Sequence, residues 1–93
     1  MEISILPHAK KQASERGIEE KLIKEILRDL PKVLEGRKER KIAQGKYFDS
    51  GKNKEFLIRI IFREEGERKI VFTVYKTSKV KKYWKEDENE NKL

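Results

Sequence analysis

The sequence predicts a single α+β domain: two N-terminal helices packed on a twisted antiparallel sheet of three to four strands, closed by a short C-terminal helix. Three observations lead there. Leu22, Ile23, Ile26, Leu27 and Leu30 recur at helical spacing. The stretches 56–63 and 70–75 instead alternate with the period of two that marks strands. The second of these then meets Thr77-Ser78, a capping pair, and turns into a short helical pattern with Val80, Tyr83 and Trp84 on one face.

The N-terminal stretch 1–6 alternates weakly and reads as an extended strand. Pro7 suits a first helical turn, and the helix begun there is expected to end at Gly17 as its C′ residue. Ala9 and Ala13 mark its packing face. His8, Gln12 and Glu15 form a polar stripe beside that face, flanked by Arg16. Ile18 leads into the second helix, whose first turn holds Glu19 and Glu20 and which Pro31 stops.

Residues 32–46 form a basic connection with Arg37, Lys38, Arg40 and Lys41 at its centre. Its second half, with Ile42, Tyr47 and Phe48, is expected to enter the sheet as an edge strand. The run reads either as a solvated edge that discourages aggregation or as a surface for an anionic substrate. Turn residues follow at 49–54.

In the next strand Phe56, Ile58, Ile60 and Phe62 share one face and Leu57, Arg59, Ile61 and Arg63 the other. Matching the first set to Ile70, Phe72 and Val74 calls for an odd loop, Glu64-Glu65-Gly66, since a two-residue loop would turn one apolar set the wrong way. Arg59 then shares a face with Thr73 and Tyr75. Where strand gives way to helix, Tyr75, Lys76, Thr77, Ser78 and Lys79 bring together a phenol, two hydroxyls and two cations, a cluster suited to a phosphate. A capped turn with solvated lysines is the plainer reading.

With 93 residues the chain can bury one modest core. No cysteine is present, which excludes disulfides and thiolate metal sites, and the lone histidine excludes a His-rich one. No metal or cofactor is expected. No apolar run is long enough to span a bilayer and no signal peptide is visible, so a cytoplasmic protein with no membrane partner is expected. The chain carries 24 Lys and Arg against 17 Asp and Glu, a net charge of +7. The acidic tail, residues 86–93, has no apolar period and is expected to be disordered beyond a domain at 1–85. Setting aside the two lysines and four acids of residues 85–93 leaves 22 cations against 13 acids. A basic body points to an anionic partner, most simply RNA. A highly charged, thermophile-like surface accounts for the charge density but not for its positive excess.

His8-Ala9 followed by Glu15–Ile18 (ERGI), an amphipathic helix, a strand with LIRIIF and a strand with VFTVYKTSKVKKYW together resemble a family of small prokaryotic domains. That family is grouped with RelE-like and BrnT-like toxins among the barnase, EndoU, colicin and RelE-type ribonucleases. The resemblance spans residues 6–84. It implies helices on a sheet, a toxin-type endoribonuclease that needs no metal, RNA as substrate (ribosome-bound messenger included) and an antitoxin as protein partner. Carried over by position, His8 matches a helix-start histidine, Arg16 the ERGI arginine, Arg59 a penultimate-strand arginine, and Tyr75 to Ser78 the polar end of the last strand. Gln12 departs from the pattern, which has a basic residue there.

The chemistry of the residues is compatible with such a reaction. Attack of a 2′-hydroxyl on the adjacent phosphate needs a base, an acid and cations for the developing charge. His8 is the natural base or acid, Arg16 and Arg59 can grip a phosphate bidentately, Tyr75 or Lys76 can carry a second proton, and Thr77 or Ser78 can add a hydrogen bond. A histidine hydrogen-bonded locally at a helix start is the structural alternative. The corresponding functional alternative is a basic RNA- or ribosome-binding module without catalysis.

Overall fold

The computed structural model describes residues 2–29, 33–35 and 39–83. The expectations placed on Arg37, Lys38, Trp84 and the acidic tail lie outside the described residues. In chain order the elements are β1 (Glu2–Ile5), α1 (Pro7–Glu15), α2 (Glu20–Asp29), β2 (Val33–Glu35), β3 (Arg40–Asp49), β4 (Lys54–Glu65) and β5 (Arg68–Thr77), followed by a helical turn at 80–83. The class is α+β.

The sheet has five strands in the order β1-β5-β4-β3-β2. From β2 to β5 every pairing is antiparallel, but β1 runs parallel to β5, with Ile5 opposite Val71. The sheet is therefore mixed and wider than the antiparallel sheet of three to four strands that the sequence predicts. The difference arises at the N-terminus. Ile5 is buried, and the next amide, Leu6 N–H, donates to the Val71 carbonyl at 3.1 Å. Pairing with β5 thus satisfies the backbone of a strand too short to signal its partner.

α1 begins with Pro7 and ends as its sequence requires. Gly17 takes the left-handed conformation (φ +67), Ile18 N–H returns to the Ala13 carbonyl at 2.8 Å and Gly17 N–H to Ser14 at 3.3 Å. This Schellman closure satisfies carbonyls that the helix end would otherwise strand. Ala9 and Ala13 of α1 and Ile23, Ile26 and Leu27 of α2 share one buried cluster with Ile58, Ile60, Phe62, Val71 and Val74 of the sheet. Each of the larger side chains contributes about 1.5–3 kcal/mol by leaving water. The approach is closest where α2 crosses β3: a Cβ on Gly45 would stand 2.9 Å from Ile26 Cγ1.

The β4–β5 hairpin departs from the expected register. Its loop is two residues, Gly66-Glu67, with Gly66 at φ +61, and Glu65 lies opposite Arg68. Such a loop reverses the facing of one strand relative to a three-residue loop. The reversal is cancelled after four residue pairs. Ile61 lies opposite Thr73 but Phe62 opposite Val71, so Phe72 is the extra residue of a β-bulge. Val71 rather than Phe72 therefore faces the core with Ile58, which corrects the expected Ile70–Phe72–Val74 set. Beyond the bulge the expected parity returns, and Arg59 lies directly opposite Tyr75.

No described helix is long and apolar enough to cross a membrane.

Candidate nucleic-acid interface

Side chains alternate across β4. Ile58, Ile60 and Phe62 enter the core, and Leu57, Arg59, Ile61 and Arg63 point to the other face. Cross-strand pairing puts Gln44 and Tyr75 beside Arg59, Ile42 and Thr73 beside Ile61, and Arg40 beside Arg63. One end of this arginine face is covered by the turn at 80–83, where Val80 is buried and Tyr83 half-buried. Ile42, Ile61, Thr73 and Phe72 remain half-exposed along the rest.

Arg59 is the unusual residue of this face. It retains only 9% of its accessible surface. One terminal nitrogen donates to the Tyr75 hydroxyl at 2.6 Å. The guanidinium carbon lies 4.5 Å from the centre of the Tyr83 ring and 5.6 Å from that of Tyr75. Two phenol rings thus hold the cation in place by their π faces. Among the described residues no carboxylate neutralises it, and its Nε is buried with no hydrogen-bond partner. A buried charge is ordinarily paired, because desolvation costs several kcal/mol. Two other cations of the sheet do have carboxylates: Lys41 Nζ lies 3.0 Å from Glu64, and Arg63 pairs with Glu65. Lys41 holds the Glu64 carboxyl below its ordinary value, chiefly through their hydrogen bond.

The structure divides the residues that sequence alone groups into one site. Arg59 and Tyr75 are joined as expected. Lys76, one residue on, points to the opposite face, where its Nζ donates to the Arg16 carbonyl at 3.0 Å and lies 4.9 Å from the centre of Phe56. Arg16 is exposed, and its guanidinium donates back to the Gln12 carbonyl at 3.4 Å. His8 is exposed at the start of α1, whose Ala9 and Ala13 enter the cluster on the even face. No hydrogen bond among the described residues joins it to Arg59 or Tyr75. Thr77 Oγ1 accepts the Lys79 amide at 3.1 Å, capping the final turn, while Ser78 and Lys79 are exposed. Arg40 is exposed on the arginine face.

Two roles escaped the sequence. Gln12 Oε1 accepts the Val74 amide at 3.0 Å, closing the edge of β5 beyond the end of β1. A lysine or arginine at position 12 would have no acceptor to offer that amide. Phe72 is turned by the bulge towards Arg40 and Arg63, whose guanidinium carbons lie 4.5 and 5.6 Å from its ring centre. The only sequence signal for that bulge was the conflict between a good two-residue loop at Gly66-Glu67 and the parity of the apolar residues.

Among the described residues no group of three His, Cys, Asp or Glu side chains is placed to hold a metal ion. Comparison with family models, with curated proteins and with solved structures finds no match.

Proposed function

We propose that the chain is a RelE-like domain that binds RNA on its arginine face, with Arg59 as the central phosphate contact. The observation that carries this reading is the buried Arg59 guanidinium, fixed by Tyr75 and Tyr83 and neutralised by no carboxylate among the described residues. A phosphate at the exposed edge of the guanidinium supplies the missing negative charge. The net charge of +7 favours the same class of partner. The resemblance of the HA…ERGI and VFTVYKTSK stretches, and the order of helices before the antiparallel strands, support the RelE-like assignment.

A second reading, the toxin-type endoribonuclease, is favoured by one observation. The Tyr75 hydroxyl lies 2.6 Å from the guanidinium that would hold the phosphate, so a proton-carrying group would stand at the scissile bond. In this reading Arg59 stabilises the charge developing on phosphorus, Tyr75 exchanges a proton with the reacting oxygens, and His8 takes no part. An antitoxin would act by covering the arginine face in the cytoplasm.

Fluorescence anisotropy with a single-stranded RNA tests binding. Affinity should fall steeply with salt, and Arg59→Gln should weaken it about tenfold or more. Undiminished affinity in Arg59→Gln rejects the site. A cleavage assay separates the two readings: loss of cleavage in Tyr75→Phe with full activity in His8→Ala supports the nuclease, and binding without cleavage by the parent protein supports the module.

A further inference from the structure

Arg40 and Arg63 stand directly opposite each other on β3 and β4, on the same face as Arg59. Like charges directly opposed across a sheet repel. Arg63 is relieved by Glu65, whereas no ion pair among the described residues includes Arg40. Both guanidiniums gather on Phe72, Arg40 at 4.5 Å and Arg63 at 5.6 Å. Phe72 is there because the bulge turns it away from the core, at the expense of its place in the ladder. The bulge restores Val74 to the core after the two-residue turn, and in doing so it sets an aromatic side chain beneath two cations.

We infer that Arg40, Arg63 and Phe72 form a second subsite, which takes a further phosphate of the same unpaired RNA strand held at Arg59. The inference rests on the RNA-binding reading above and deepens it. Contact with the Phe72 ring restrains the Arg40 guanidinium while the side chain stays exposed to a phosphate, so less freedom is lost on binding. Arg63 lies four residues from Arg59 along β4, about 13 Å at strand spacing. Half-buried Ile61, Ile42 and Thr73 lie between the two cationic points. An apolar floor between two phosphate contacts receives the bases of an unpaired strand, whereas a duplex keeps its bases stacked inside. The face therefore selects single strands long enough to reach both arginine sites.

The test uses 2′-O-methyl oligonucleotides, which cannot be cleaved by 2′-hydroxyl attack. A dinucleotide with one phosphodiester and a hexanucleotide are titrated by calorimetry against the parent chain, Arg40→Gln, Phe72→Leu and Arg59→Gln. Arg40→Gln should weaken the hexanucleotide about tenfold and lower its salt slope by about 0.7, the share of one single-strand phosphate. The dinucleotide should be unaffected. Phe72→Leu, which keeps the apolar volume but removes the ring, should act in the same direction, and Arg59→Gln should weaken both ligands. Lys10→Gln, which removes an exposed cation of α1, should change neither. Circular dichroism establishes that each variant is folded. If Arg40→Gln and Phe72→Leu bind the hexanucleotide like the parent while Arg59→Gln does not, the second subsite is overturned and the first stands. Equal weakening of both ligands by Arg40→Gln also overturns it, since that is a diffuse charge effect. If the parent binds neither ligand, both readings fall.

Discussion

Arg59→Met should raise the stability of the chain and remove its RNA binding together. The residue is nine-tenths buried, its Nε wholly so, which costs several kcal/mol of hydration. Against this stand a charged hydrogen bond to Tyr75, about 1.5–3 kcal/mol, and a desolvated contact with the Tyr83 ring, about 2 kcal/mol. These offset most of the penalty but leave Nε without an acceptor. Methionine fills similar space with no charge to desolvate, and its thioether packs well against aromatic rings. A net gain of about 1 kcal/mol follows, or ~4–8 °C in Tm for a domain of this size. The RNA complex instead loses a charge-assisted phosphate contact of about 1.5–3 kcal/mol, roughly a ten- to hundredfold loss of affinity. Differential scanning calorimetry and anisotropy at one fixed salt concentration measure the two effects on the same samples. Arg59→Lys keeps the charge without the planar fork and should bind with intermediate affinity. A lower Tm in Arg59→Met with RNA affinity intact would refute the reasoning, because Arg59 would then be a structural cation satisfied within the protein.

Gly45→Ala should destabilise the fold by about 1–3 kcal/mol in urea denaturation, since its Cβ would meet the Ile26 side chain at 2.9–3.3 Å. Gln12→Leu should cost about 1–3 kcal/mol by leaving the Val74 amide unpaired, and hydrogen exchange at that amide should accelerate more than at its β5 neighbours. Glu64 titrates below its ordinary value because of Lys41, so its small contribution is present at neutral pH and fades as pH falls through the lowered value. Lys41→Met should return the Glu64 carboxyl towards its ordinary value in an NMR titration.

How far the sequence could be read depended on whether a feature was local. The end of α1 at Gly17, the apolar stripe of α2 and the two faces of β4 were legible, because each follows from a conformational preference or a period within a few residues. The parallel pairing of β1 was not, since four residues carry no signal for a partner more than sixty positions away. Lys76 illustrates a different limit. Its neighbours Tyr75 and Thr77 lie on the arginine face, and adjacency in sequence suggested one cluster, yet strand alternation sends Lys76 to the side of Arg16. His8 was grouped with Arg59 by chemistry and family resemblance, and neither type of argument specifies which face of a sheet a helix covers.

The hairpin shows why a correct shared face for Arg59 and Tyr75 emerged from an incorrect loop. Parity along a strand takes only two values, so an even number of one-residue errors restores it. The two-residue turn at Gly66 shifts the facing once, and the bulge at Phe72 shifts it again. Either alone would carry Val74 out of the core and bring Tyr75 into it, opposite Ile58 if the turn stood without the bulge, at a cost of several kcal/mol. The two irregularities are therefore coupled: the tight turn is tolerated because the bulge follows it. Between them lies a short segment, Arg68 to Val71, of reversed facing, and at its end Phe72 arrives beneath Arg40 and Arg63. A hairpin built only to fill the core has a simpler solution in the three-residue loop with an unbroken ladder. What the bulged form adds over that solution is an aromatic ring on the arginine face.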